Sequence, residues 1–208
     1  MNEYLTIQKK EIVKRFVVFE GLDGSGTSTQ LELLRNKPRV WTTREPTDGP
    51  VGRIIRSALH GDPPLQPETL ARLFAADRTE HLYAKGGIIE QCNQGKIAVS
   101  DRYTLSSLVY QGVLCGDLPF NLNKDFPLPE LLLLFDVDPQ IAMRRIENRS
   151  VHEIYEYLEF QEHVREQYKS LAPQWERQGV RVVVIDASKP IGVVAGEIAR
   201  EIDALQKE

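Results

Sequence analysis

Cysteine is scarce, and its scarcity excludes two kinds of protein at the outset. Only Cys92 and Cys115 occur. They are far apart and lack the spacing of a disulfide framework or a zinc site, so both read as free thiols of a reducing compartment. A basic excess is also missing. The net charge of −4 leaves no electrostatic footprint for nucleic acid, so phosphate binding must come from local arginine clusters. Long apolar runs are absent too. Residues 1–15 carry Lys9, Lys10, Glu11, Lys14 and Arg15, with no stretch long enough for a signal peptide or a membrane span; a cytoplasmic protein is expected. No repeat, low-complexity tract or linker divides the chain. Its 208 residues, 41% hydrophobic and 27% charged, suit one well-cored domain over 1–208.

What is present centres on Phe19-Glu20-Gly21-Leu22-Asp23-Gly24-Ser25-Gly26-Thr27-Ser28-Thr29-Gln30. An apolar run, Phe16 to Phe19, precedes it and a helical pattern, Leu31 to Arg35, follows, which is the context of a phosphate-binding loop. Gly21, Gly24 and Gly26 let backbone amides wrap a polyphosphate, and the helix N-terminus adds partial positive charge. Ser28 stands where such loops place the hydroxyl that ligates Mg²⁺. One expected residue is missing: the pattern G-x-x-x-x-G-K-[ST] asks for lysine, and the chain has Thr27. Taken alone, the glycines also fit a tight structural turn.

Short apolar runs alternate with helical patterns along the chain. Phe16 to Glu20, Val40 to Thr43, Ile97 to Asp101, Leu131 to Val137 and Val180 to Ile185 read as strands apolar on both faces. Segments 28–36, 50–60, 67–93, 104–112, 139–148, 153–178 and 191–206 have helical periodicity. The expected fold is α/β, a doubly wound parallel five-stranded sheet with helices on both faces. In such sheets ligands bind outside the carboxyl ends of the strands. Those ends deliver the glycine loop, Arg44-Glu45-Pro46, Asp101-Arg102-Tyr103 and Asp136-Val137-Asp138-Pro139. Two arginines beside a phosphate loop suggest a second anionic group, since guanidinium matches phosphate oxygens two at a time. The alternative is a pair of surface ion pairs, Arg44 with Glu45 and Arg102 with Asp101. Phe74 and Arg78, four apart in the long third helix, share a face that offers a ring to a planar base and a donor to its edge; a core Phe beside a surface Arg is the plainer alternative.

The sequence resembles the thymidylate kinases, a branch of the P-loop nucleoside monophosphate kinases. The matching stretches are the loop with Ser28-Thr29-Gln30, Arg44-Glu45-Pro46, Leu73 to Arg78, Ser100-Asp101-Arg102-Tyr103 through Tyr110-Gln111-Gly112, Leu134 to Pro139, and Tyr155-Glu156 followed by Phe160-Gln161. They keep the family's order over nearly the whole chain. The resemblance implies phosphorylation of dTMP by ATP·Mg²⁺, and commonly a homodimer. It implies that Asp23 accepts from the sugar 3′-hydroxyl, that Arg44 and Arg102 clamp the dTMP phosphate, and that Phe74 stacks on thymine. Arg78 would donate to O4, Ile55 would form an apolar wall, and Ser107 and Gln111 would touch the base edge. Tyr110 would pack under the sugar and Tyr155 beside it. On the donor side it implies Gly21, Gly24, Ser25, Gly26, Thr27, Ser28, Thr29, Arg145 and Lys189 for ATP, Ser28 and Asp101 for the metal, and a short lid at about 144–156 whose Arg149, with Arg145 second, covers adenine or reaches the transferring phosphate. Asp23, Arg44, Arg102 and Arg149 are thus the expected catalytic set.

Two departures bear on activity. Gly24 stands where some members carry a loop arginine, and Ile154 where many carry a lid arginine. With Thr27 they leave open what neutralises the β- and γ-phosphates. Three functions follow from the sequence: a dTMP kinase, a nucleotide-binding protein that transfers no phosphate, and a kinase for another small monophosphate.

Overall fold

Phe16, Val17, Val18 and Phe19 are all fully buried. Consecutive strand residues point to opposite faces, so the strand that carries them is covered on both sides. The computed structural model describes residues 10–147, 155 and 157–206. It places that run in β1 (Ile12–Gly21), at the centre of a sheet completed by β2 (Val40–Arg44), β3 (Ile97–Asp101), β4 (Leu128–Asp136) and β5 (Arg181–Asp186). The spatial order is β2-β3-β1-β4-β5, and each neighbouring pair runs parallel. Parallel strands need crossover connections, supplied by α1 (Thr27–Leu34), α2 (Pro50–Leu59), α3 (Pro67–Tyr83), α4 (Ile88–Asn93), α5 (Thr104–Ser106), α6 (Gly112–Cys115), α7 (Leu118–Asn123), α8 (Pro139–Ile146) and α9 (Leu158–Arg177), while α10 (Ile191–Leu205) follows the last strand. The helices α1 and α10 pack on each other and on the sheet, while α4, α5 and α9 form a second group against it.

All five expected strands form, with differences at their ends. β1 starts four residues earlier than the apolar run suggests. Its Ile12 and Val13 pair with Leu128 and Pro129 of an equally extended β4, and the register breaks between Val13 and Val17, where Arg15 adopts a left-handed φ of 62°. The single helix expected over 67–93 is two. It ends at Tyr83 because the chain turns through Gly86 (φ 81°) and Gly87, where an added Cβ would lie 2.7 Å from the His81 carbonyl. The segment expected as a helix over 104–112 contains a π-helical turn at Ser107–Gln111, a deviation frequent at functional sites. The short α7, of 6 residues, lies outside the segments with helical periodicity. Cys92 and Cys115 are not bonded to each other. Among the described residues no helix is long and apolar enough to cross a membrane.

Candidate active site

The glycine loop leaves β1 at Gly21 and enters α1 at Thr27. Gly24 has φ +81°, and a Cβ there would sit 2.3 Å from the Ala142 carbonyl of α8. The loop therefore rests directly on that helix, and an arginine at this position is sterically excluded. Gly26, with φ +100°, forms the left-handed step into α1, a conformation that costs an L-residue roughly 1–2 kcal/mol. Ser28 Oγ donates to Asp101 Oδ2 at 2.6 Å, joining the start of α1 to the end of β3. Asp101 Oδ1 is buried with no hydrogen-bond partner among the described residues. A hydroxyl and a carboxylate are hard oxygen donors that suit Mg²⁺, which is usually held by one or two carboxylates plus substrate phosphates.

The loop forms one end of a cavity of about 530 Å³, within the range of ligand pockets. Arg44, Phe74, Arg78, Asp101, Arg102, Ser107, Tyr110, Gln111 and Tyr155 also line it, with Asp23, Gly24, Gly26, Thr27, Ser28, Thr29 and Arg145 at the loop end. Residues from the ends of β1, β2 and β3 thus meet α3, the π turn and α8 around one volume. Ser25 and Lys189 line an adjoining pocket with Arg145, Ala187 and Ile191; Lys189 is paired with Glu197 at 3.0 Å. Gly21 lies behind the loop, its carbonyl accepting from Arg102 Nη1. Ile55 is wholly buried in the core, and Leu59, one turn on, meets the cavity instead. Arg149 and Ile154 lie outside the described residues.

Neither ion pair weighed as the plain alternative forms. Arg44 is exposed at the cavity mouth and pairs with Asp48 at 2.9 Å. Glu45, one residue on, turns inward. Its carboxylate takes the Nε and Nη2 of Arg78 at 3.0 and 2.6 Å and faces His81 Nδ1 at 3.1 Å. Burial alone would raise the Glu45 carboxyl, but Arg78 and His81 outweigh it and hold it below the usual carboxylate range. Arg78 also donates through Nη1 to Asn123 Oδ1 and through Nη2 to Ser107 Oγ, and lies against the rings of Tyr103 and Phe126. The surface arginine of the plainer alternative is therefore fully buried; of the five N–H groups on a guanidinium, one on Nη1 is left for a ligand. Phe74, the ring expected beside it, is half-buried on the cavity wall.

Arg102 pairs with Asp23, not with Asp101. Its Nη2 reaches Asp23 Oδ1 at 2.5 Å, its guanidinium sits 5.0 Å from the centre of the Tyr110 ring, and its backbone φ is 72°. Gln161 Nε2 donates to the other Asp23 oxygen at 3.0 Å. Tyr110, Tyr155, Phe160 and Tyr168 form one aromatic cluster along this wall. The Tyr110 hydroxyl and Gln111 Oε1 are buried without a hydrogen-bond partner among the described residues, polar atoms left for a ligand to satisfy. On the far side Arg145 stretches across the loop, its Nη1 3.3 Å from the Gly24 carbonyl and its Nη2 2.9 Å from that of Ala187.

Several residues of this site escaped the sequence reading. Arg56 lines the cavity and donates to the Pro46 and Thr47 carbonyls; its signal was its place one turn from Gly52 on α2. Asp77, inside the recognised Leu73–Arg78 stretch, accepts from Thr47 N and Oγ1 and so shapes the loop after Arg44. Glu20 was visible as a charge inside an apolar strand. Tyr168 carried no local signal, because its partners lie more than 60 residues away in sequence.

A parallel sheet ordered β2-β3-β1-β4-β5, with a glycine loop after its central strand and a serine–aspartate pair beneath, defines a P-loop nucleotide-binding protein. The family model described as thymidylate kinase matches residues 19–198. A putative thymidylate kinase of Treponema pallidum is 42% identical over 200 residues, 92% of this chain and 96% of that protein. A probable thymidylate kinase of Pyrobaculum aerophilum is 44% identical, covering 90% and 95%, and one of Methanococcus maripaludis is 40% identical, covering 91% and 96%. The chain belongs to the thymidylate kinase family.

Proposed function

We propose that this chain transfers the γ-phosphoryl group of ATP to dTMP, giving ADP and dTDP. The carrying observation is the single cavity that joins the glycine loop and the Ser28–Asp101 pair to Arg44, Arg102, Phe74, Arg78 and Gln111. In this reading Arg44 and Arg102 bind the acceptor phosphate, and Asp23, already holding Arg102, accepts from the sugar hydroxyl. Phe74 stacks on the base; Arg78, Ser107 and Gln111 meet its edge, with Tyr110 and Tyr155 against the sugar. The acceptor is already anionic, so no strong base is needed. Positioning and charge stabilisation supply the catalysis. Mg²⁺, when bound by Ser28 and Asp101, would neutralise donor phosphate charge. Arg145 and Lys189 lie on the adenine side, and Arg145, spanning the loop, offers a cation where Thr27 supplies none. Arg149 completes the reading from the lid.

An ADP-release assay coupled to NADH oxidation tests this with dTMP, dUMP and dCMP. Turnover with dTMP well above the other two is expected, and none above background would overturn it. Tight dTMP binding by calorimetry with no turnover would instead support a protein that holds nucleotides without transferring phosphate. We further propose a homodimer in a reducing cytoplasm, supported by the exposed Val113, Leu114 and Phe120 on α6 and α7 and by the free cysteines; light scattering at the monomer mass would refute the dimer.

A further inference from the structure

Glu20 is a carboxylate with no exposure at all, on the central strand directly before the glycine loop, and nothing in the phosphoryl-transfer reading uses it. Its surroundings are unusually complete. Oε1 accepts from the backbone amides of Tyr103 and Ser106 at 3.0 and 3.1 Å, and Oε2 from the Ser106 and Tyr168 hydroxyls at 2.5 and 2.9 Å. Tyr103 has no oxygen placed to cap the helical segment it precedes. Glu20 satisfies those amides from another strand, as a cap would.

Two of these partners, the Ser106 and Tyr168 hydroxyls, also meet Arg102. Its Nη1 donates to Ser106 Oγ at 3.1 Å and to the Tyr168 hydroxyl at 3.4 Å, and its backbone is held in the left-handed region between Asp101 and the Tyr103 amide that Glu20 fixes. A hydroxyl has one proton to give. When the ionised Glu20 takes both protons, Ser106 and Tyr168 keep lone pairs for the guanidinium. We propose that Glu20 is a positioning residue for the phosphate-binding arginine, setting the backbone turn of Arg102 through Tyr103 and Ser106 and the direction of its guanidinium through the Ser106 and Tyr168 hydroxyls. Burial pushes the Glu20 carboxyl up to about 7, against the pull of Ser106, Arg102 and Tyr168 on its ionised form. A group so costly to ionise is retained where an apolar side chain of similar size would spare that cost.

The inference rests on Arg102 binding the acceptor phosphate, and a pair of ligands separates it from a general loss of structure. Glu20→Gln keeps volume and one acceptor oxygen, but its amide would donate to a hydroxyl oxygen and compete with Arg102. Calorimetry with dTMP and with thymidine, which lacks the phosphate, should show dTMP weakened about tenfold, the size of one lost hydrogen bond to a charged group, and thymidine changed less than twofold. Tyr168→Phe, nearly isosteric, should move dTMP in the same direction by a smaller factor. Equal weakening of both ligands, or no change in either variant, overturns the inference. A parent protein that binds thymidine as well as dTMP refutes the phosphate role of Arg102 itself.

Discussion

Arg78 is the residue whose substitution should separate structure from binding most clearly. Arg78→Met keeps much of the apolar stem and removes a guanidinium that is 1% exposed in its side chain, facing a carboxylate that is 2% exposed. Glu45 would be left buried with the His81 ring as the remaining partner of these two, and Asn123 and Ser107 would each lose a donor. Removing one partner of a buried ion pair costs about 3–5 kcal/mol. For a chain of this size that corresponds to a fall in melting temperature of roughly 10 °C. Replacing both residues by apolar ones of similar volume should recover part of the loss, because no charge is then stranded. Circular dichroism melts of Arg78→Met, Glu45→Met and the double variant measure the coupling, and dTMP calorimetry follows binding in parallel. The expected pattern is a double variant less destabilised than the sum of the singles while dTMP binding stays lost. The pair is held by a carboxyl below its usual range, so its contribution is present above the unfolded glutamate value and is lost as pH falls through the lower folded one. An Arg78→Met protein that melts within about 2 °C of the parent would refute the buried-pair argument.

Other predictions follow from the geometry around the loop and the strand ends. Gly24→Ala places a Cβ against the Ala142 carbonyl in a left-handed backbone; it should raise KM for ATP at least fivefold and lower stability by about 1–2 kcal/mol, and unchanged ATP kinetics would contradict the contact. In the proposed reading Asp48, paired with the exposed Arg44, competes with the substrate phosphate for it. Since surface pairs are worth at most about 1 kcal/mol, Asp48→Asn should lower KM for dTMP two- to fivefold, and a rise would show that Asp48 orients Arg44 instead. Glu20 titrates near 4.5 when unfolded and about 7 when folded, so the native state binds the extra proton and this residue makes stability fall as pH rises between those values. Relative to the parent, Glu20→Gln should therefore gain up to about 3 kcal/mol in urea unfolding between pH 4.5 and 8; a pH-independent difference would exclude the shift.

Local patterns in this chain determined a great deal. Phe16 to Phe19, Ile97 to Asp101 and the run in β4 are strands covered on both faces, as their successive apolar positions suggest, whereas the runs in β2 and β5 lie at the sheet edges and stay partly exposed, Val184 by 61%. The glycines before Ser28 announced a phosphate loop, and the strand ends delivered Arg44 and Arg102 to the same edge of the sheet. Pairing was decided only by tertiary structure. Glu45 turned to Arg78 and away from Arg44, Asp101 to Ser28 and away from Arg102, and Arg102 to Asp23, Ser106 and Tyr168. The physical reason is desolvation. A charge forced out of water takes whichever partner the packing brings within reach, and that partner is set by register and crossover, not by adjacency in the chain. Glu20 and Tyr168, 148 positions apart, meet for that reason alone.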